Sequence, residues 1–245
     1  MRADKDVELY FNVMINERLR SSTGNLKFRM EFLFRGITFK NKRVLDIGGG
    51  CGVFSFYAAC RGADKVLCLE PEVEGSSSGV QDTFRKLQRL LSAPNVLLET
   101  STFQSFESDG KAFDIILLLN SINHLNETAC INLLNDENAR AIYQSIFAKL
   151  SSLSKKGTKL IICDCSRYNL FALLKMRNPF SPTIEWHKHQ TPEVWAHMLG
   201  CVGFGNPIIR WSSFNRLRSV GRVLFGNKVM AYFLKSGFCL SMVKD

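Results

Sequence analysis

The stretch Arg43-Val44-Leu45-Asp46-Ile47-Gly48-Gly49-Gly50-Cys51-Gly52 constrains this chain more than any other. An apolar strand ends in an acid at Asp46, and a glycine loop follows at Gly48, Gly50 and Gly52. The apolar run 53–59 then reads as a helix. Strand, glycine loop and helix in that order form a cradle for a nucleotide. A dinucleotide fingerprint asks for a glycine three residues after Gly50, where this chain has Val53. A phosphate-gripping loop asks for Gly-Lys-Ser/Thr, which is absent. The acid ahead of the loop suits a ligand with cationic groups, such as a sulfonium and an amine, better than a pyrophosphate.

Two further segments extend the pattern. Residues 65–70 read as a second strand ending in Glu70, about 20 residues past the loop, where an acid commonly meets ribose hydroxyls. Residues 113–120, Phe-Asp-Ile-Ile-Leu-Leu-Leu-Asn, read as a buried strand, followed by Ser121-Ile122-Asn123-His124-Leu125. In these three segments, in this order and spacing, the chain resembles the class I S-adenosylmethionine (SAM)-dependent methyltransferases. The likeness runs from about Lys42 to Phe204. It implies an α/β fold with a seven-stranded, mostly parallel sheet, an antiparallel last strand and helices on both faces. It implies SAM as cofactor, held by Asp46, Gly48, Gly50, Gly52, Glu70, Thr102, Phe103 and Asn120. Related enzymes often carry an acid near position 102 for the adenine amine. Here Thr102 stands instead, with Phe103 beside it to cover the ring.

Periodicity places helices over 6–20, 26–34, 80–91 and 137–150, with breaks at 21–25 and a polar loop at 71–79. Further strands are expected at 95–98, 159–163, 207–211 and 238–243, with a turn at 154–157. Thr191-Pro192-Glu193 is a helix start, with Thr as cap and Pro in the first turn. Strands alternating with helices argue for a parallel sheet whose ligands sit at the carboxyl ends of its strands. Asp46, Glu70, Thr102 and Asn120 fall at those ends, which is independent of the family likeness. At 245 residues with 46% hydrophobic content, one domain with insertions is expected. Residues 1–41 would form a helical lid, with Tyr10, Phe11 and Met14 either facing the cofactor or packed in the core. Residues 165–190 and 212–236 would be insertions near the acceptor site or the surface.

The histidines are His124, His187, His189 and His197. His124 follows the fourth strand, and His187 and His189 stand in the segment that shapes the acceptor pocket in the resembled family. These three are the candidate catalytic residues, as base or substrate-positioning groups, against readings as a capping histidine and a solvated loop. His197 reads as structural. Their gathering favours an oxygen acceptor, whose proton must be removed. The implied reaction is SAM-dependent methyl transfer to a small-molecule, sugar or lipid-linked acceptor. RNA methylation and a catalytically silent binding or scaffold role are the alternatives. Neither Asp/Asn-Pro-Pro-aromatic nor Pro-Cys, the marks of base-methylating enzymes, occurs at the expected places, which argues against nucleic acid. Alternate spacing allows a metal pair from Glu185, His187 and His189, but no metal is expected.

The eight cysteines sit mostly in apolar patterns, which suits reduced thiols and a cytoplasmic setting. No run is long enough to span a bilayer, and residues 1–6 lack the apolar stretch of a secretion signal. Net charge is +10, and residues 205–245 hold seven bases against one acid. Nucleic acid, an anionic membrane surface, an anionic substrate and a plain solvated face all remain open for that segment. Within it, 217–234 reads as a helix broken at Gly226-Asn227, with Arg218 and Arg222 one turn apart. Packing of its apolar stripe on the sheet or on a partner subunit is the leading expectation, and peripheral membrane contact the other.

Overall fold

The structure is a computed structural model and describes residues 2–71, 79–212 and 217–245. The expected polar loop 71–79 therefore lies almost wholly outside the described residues, as does Arg216. In chain order the elements are α1 (Arg2–Asn16), α2 (Thr23–Leu33), β1 (Arg43–Ile47), α3 (Val53–Cys60), β2 (Lys65–Leu69), α4 (Val80–Leu90), β3 (Val96–Glu99) and β4 (Phe113–Leu119). They continue as α5 (Glu127–Asn132), α6 (Glu137–Ser152), β5 (Ser154–Cys165), α7 (Leu170–Leu173), α8 (Pro192–Gly200), β6 (Phe204–Trp211), α9 (Arg218–Phe225), α10 (Lys228–Phe233) and β7 (Gly237–Lys244). The fold class is α/β, with the expected seven-stranded, mostly parallel sheet and antiparallel last strand.

The chain divides into two compact units that meet in sequence between Leu119 and Asn120. In the first, the strand order is β3-β2-β1-β4, with every pair parallel. The chain winds from β1 outward through β2 to β3, then returns to β4 on the other side of β1. The carboxyl end of β1 is thus a switch point, where a crevice opens in sheets of this kind. Val44, Leu45, Val66, Ile116, Leu117 and Leu118 are fully buried, as strands covered on both faces require. Tyr10 and Met14 of α1 are fully buried and Phe11 nearly so. The Tyr10 hydroxyl donates to the Val53 carbonyl at 3.0 Å, and its ring meets Tyr57 edge-on at 5.5 Å. These three side chains fill the core against α3.

In the second unit β7 runs antiparallel to both β5 and β6, in the order β5-β7-β6. Trp195, Tyr143 and Phe147 form its aromatic core. Three local expectations are corrected. The break falls at 17–22 rather than 21–25, because α1 ends at Asn16 and Ser22 caps α2 by accepting from the Asn25 amide at 3.4 Å. The turn composition at 154–157 belongs to the start of β5: Gly157 adopts φ +85° within the strand, and the buried Thr158 hydroxyl holds the Lys155 amide at 2.9 Å. Strand β6 starts at Phe204 rather than Pro207, with the pairing interrupted between Gly205 and Ile208. Proline cannot donate to a ladder, and an edge-strand irregularity accommodates it. The segment after β4 forms a 3-10 turn over Ile122–Leu125 and then α5, which Asn126 caps by accepting from the Ala129 amide. Among the described residues, no helix is long and apolar enough to cross a membrane.

Candidate functional site

The glycine loop is tied to β2 rather than left open. Gly48 and Gly49 amides donate to the Leu69 carbonyl at 2.9 and 3.2 Å. The Gly50 amide donates to a carboxylate oxygen of Glu70 at 2.8 Å. Glu70 therefore clamps the loop across the ends of two parallel strands. Gly50 has φ +55° and Gly52, which caps α3, has φ +80°, a region that L side chains rarely occupy. Gly49 is confined differently: a Cβ there would stand 2.5 Å from the Cys68 sulfur and 2.8 Å from an Asp46 carboxylate oxygen.

Asp46 is fully buried at the end of β1. Its Oδ2 accepts from the Ser55 hydroxyl at 2.7 Å, while Oδ1 is buried without a hydrogen-bond partner. Burial pushes its carboxyl up from 3.8 to about 6, against the opposing Ser55 hydrogen bond and with help from the nearby Glu70 charge. A buried carboxylate with one oxygen unmatched is a costly arrangement that a cationic ligand group relieves. The pH dependence follows. The folded carboxyl holds its proton more tightly than the unfolded one, so this contribution to stability is fully present below pH 3.8 and lost as pH rises through about 6. Denaturant unfolding of the ligand-free protein from about pH 4 to about pH 8 should show the wild type losing about 2–3 kcal/mol relative to Asp46→Asn. Parallel pH profiles for the two proteins would contradict this.

Two arginines that sequence reasoning passed over stand beside the loop. Arg20 follows α1, and its electrostatic partners include Tyr10 and Cys51 of the loop. Burial, and then the like charge of Arg29, pull the Arg20 guanidinium below its usual range. Arg29 lies 5.7 Å from the Phe54 ring centroid, and its Nε is buried without a partner. Two crowded guanidinium groups near a helix start favour an anion. Of the remaining cofactor candidates, Thr102 is exposed, and its hydroxyl makes a turn with Ser105, at 2.8 Å to the Ser105 hydroxyl. Phe103 is buried, and Asn120 is exposed at φ +61°.

The second unit holds the three candidate histidines in different settings. His124 lies on the exposed 3-10 turn, its side chain 61% exposed, with Nδ1 3.4 Å from Glu127. Glu127 also pairs with Lys188 at 2.6 Å, and Lys188 with Glu185 at 2.8 Å, so His124 borders a surface ion network. His187 is exposed and lines a cavity of about 400 Å³ together with Arg167, Phe171, Met176 and Trp186. His189 is different. Its Nδ1 stands 2.9 Å from Oδ1 of Asp164, and the two side chains are only 14% and 2% exposed. Asp164 Oδ2 is buried without a partner. The next residue, Gln190, is fully buried and donates to the Cys130 carbonyl at 2.6 Å, which fixes the backbone that carries His189. Asp164 was missed by sequence reasoning; the signal that could have found it is its place as the one acid in the apolar run Leu160–Cys165 at the carboxyl end of β5. His197 is exposed on α8. Among the described residues, no three His, Cys, Asp or Glu side chains gather as a metal site.

No protein-family model matches this chain, and a search of curated proteins finds no match. Solved structures do match. A Listeria monocytogenes protein assigned to the SAM-dependent methyltransferases superposes with a TM-score of 0.61 at 15% identity, covering 91% of this chain and 98% of its own. A SAM-dependent methyltransferase from Mesorhizobium loti gives 0.57 at 12% identity, covering 89% and 96%. One from Archaeoglobus fulgidus gives 0.55 at 16% identity, covering 96% and 99%.

Proposed function

We propose that this chain, which has the fold of the class I SAM-dependent methyltransferases, binds SAM and transfers its methyl group to an oxygen of a small-molecule, sugar or lipid-linked acceptor. The observation that carries the reading is the loop after β1, where a buried, half-partnered Asp46 and the Glu70 clamp flank Gly50, whose Cβ position has nothing within 4 Å. The residues present fit the cofactor. Asp46 offers a carboxylate oxygen for its cationic end, and Glu70 offers a carboxylate for the ribose hydroxyls. Arg20 and Arg29 offer guanidinium groups for its carboxylate. When bound, SAM supplies an electrophilic methyl on a sulfonium. Thr102 departs from the usual acid at the adenine amine.

The chain's own task is to hold the acceptor and remove its proton. With the proton on His189 Nδ1 donated in a hydrogen bond to Asp164, Nε2 is the basic nitrogen. In that role His189 Nε2 would take a proton from an acceptor hydroxyl, and Asp164 would stabilise the imidazolium that results. The cavity beside Trp186 and His187 has the size of a small-ligand site. Its lining is aromatic, apolar and basic with one acid, Glu185, which suits an acceptor with both an apolar body and polar groups.

The test is a melting curve with SAM, with S-adenosylhomocysteine and with NADH. A ligand that binds only the native state raises the melting point by mass action. The first two should raise it and NADH should leave it unchanged. A shift with NADH alone assigns the glycine loop to another cofactor.

A further inference from the structure

We infer that the surface formed by α7, α9 and α10 docks on an anionic membrane. Residues 165–180 and 217–235 contain no Asp or Glu. The first segment carries Arg167, Lys175 and Arg177, and the second carries Arg218, Arg222, Lys228 and Lys235. Both segments also leave large apolar side chains in solvent. Val223 is 80% exposed, Leu173 71%, Val220 65% and Val229 65%. Singly exposed apolar residues are ordinary, but a concentration of them rimmed mainly by bases marks an interaction surface; of these bases Lys228 pairs with Glu193 at 2.7 Å.

The two segments are built into one body. α7 packs against α10. Asn169 and Asn178, both nearly fully buried, donate to the Leu234 carbonyl at the end of α10, at 3.1 and 2.6 Å. Ser236 in turn donates to the Tyr168 carbonyl at 2.8 Å. Helix α9 packs through its buried Gly221, while Leu217, Val220, Val223 and Leu224 form an exposed stripe at helical spacing. Of the stripe expected from the sequence, Ala231 is buried while Val220 and Leu224 stand in solvent within this chain.

Aliphatic side chains flanked by bases match the layering of a lipid surface, where acyl chains lie beneath anionic headgroups. Single-stranded nucleic acid asks instead for aromatic platforms in a basic groove. The exposed apolar side chains of α9 are valines and leucines, and with Leu173 and Val229 these aliphatic groups outnumber the exposed aromatic Tyr168, Phe180 and Phe233 of the same surface, so the membrane is the better fit.

Co-sedimentation of the full chain with phosphatidylcholine vesicles, with and without phosphatidylserine, tests the inference. Binding is expected only with phosphatidylserine and should fall as salt rises. Arg218→Glu/Arg222→Glu should weaken it about tenfold or more. Val220→Ser/Val223→Ser should weaken it several-fold at low salt, and because both valines are exposed the melting temperature should hold. Absence of vesicle binding at low salt overturns the inference, as does equal binding by both variants and wild type. It is also overturned by a dimer in solution that the valine variant dissociates, which makes the face a self-interface. Capture of single-stranded RNA without vesicle binding does the same.

Discussion

Replacing His189 by alanine should lower kcat by about 100-fold to 10,000-fold, the range for loss of a positioned general base. Affinity for SAM should stay within about twofold, because in the proposed role the histidine acts in the transition state and not on the cofactor. The motive is geometric: His189 is held at 2.9 Å by a carboxylate that is itself almost fully buried. Asp164→Asn is the companion variant. It preserves shape but presents an amide where the imidazole needs an acceptor, so the ring loses its tautomer and orientation. Its kcat should fall nearly as far, and the double variant should fall little further, since the two groups work as a unit. Turnover preserved in His189→Ala, or a loss confined to KM, would demote the pair to a structural role. His124→Ala should change kcat far less, because His124 stands in solvent beside an ion network.

The second large effect concerns Glu70. Glu70→Ala should weaken SAM binding by about 10-fold to 100-fold, the value of one or two hydrogen bonds to a charged group. The same substitution frees the Gly50 amide, which Glu70 holds at 2.8 Å, so the loop loses its clamp as well as its ligand contact. Glu70→Gln keeps an acceptor oxygen in place and should fall between the two. Calorimetric titration of each variant reads these affinities directly. Equal affinity in all three proteins would remove Glu70 from the site.

Much of the sheet was legible because its signals are local. The apolar runs at 43–47, 65–69 and 113–119 are continuous, as buried parallel strands require, and each is followed by a polar or glycine residue. The capping signature at Thr191-Pro192 marked α8 correctly, with Thr191 accepting from the Val194 amide at 3.3 Å. The misplaced boundaries come from residues whose local preference was ambiguous. Ser22 lies in a polar run that reads as a break yet caps α2, and Gly157 carries a turn conformation inside a strand. The site was less legible than the fold. Asp46 and Glu70 stood out because chain order alone puts them at strand ends. Asp164 and Arg20 acquire their surroundings only through tertiary contacts: Asp164 meets a histidine 25 positions away, and Arg20 borders a loop around Cys51. Nor does a sequence distinguish an apolar stripe that packs from one that faces solvent. The helix period is identical in both cases, and only the burial of Gly221 and the exposure of Val223 separate them.

The central claim is that the Asp46–Glu70 cradle is a SAM site, and titrating S-adenosylhomocysteine into the purified protein by calorimetry tests it most directly. The expected result is one-to-one binding that SAM competes away, that NADH leaves untouched, and that Glu70→Ala weakens. No heat with either adenosyl ligand, together with saturable binding of NADH, would contradict it.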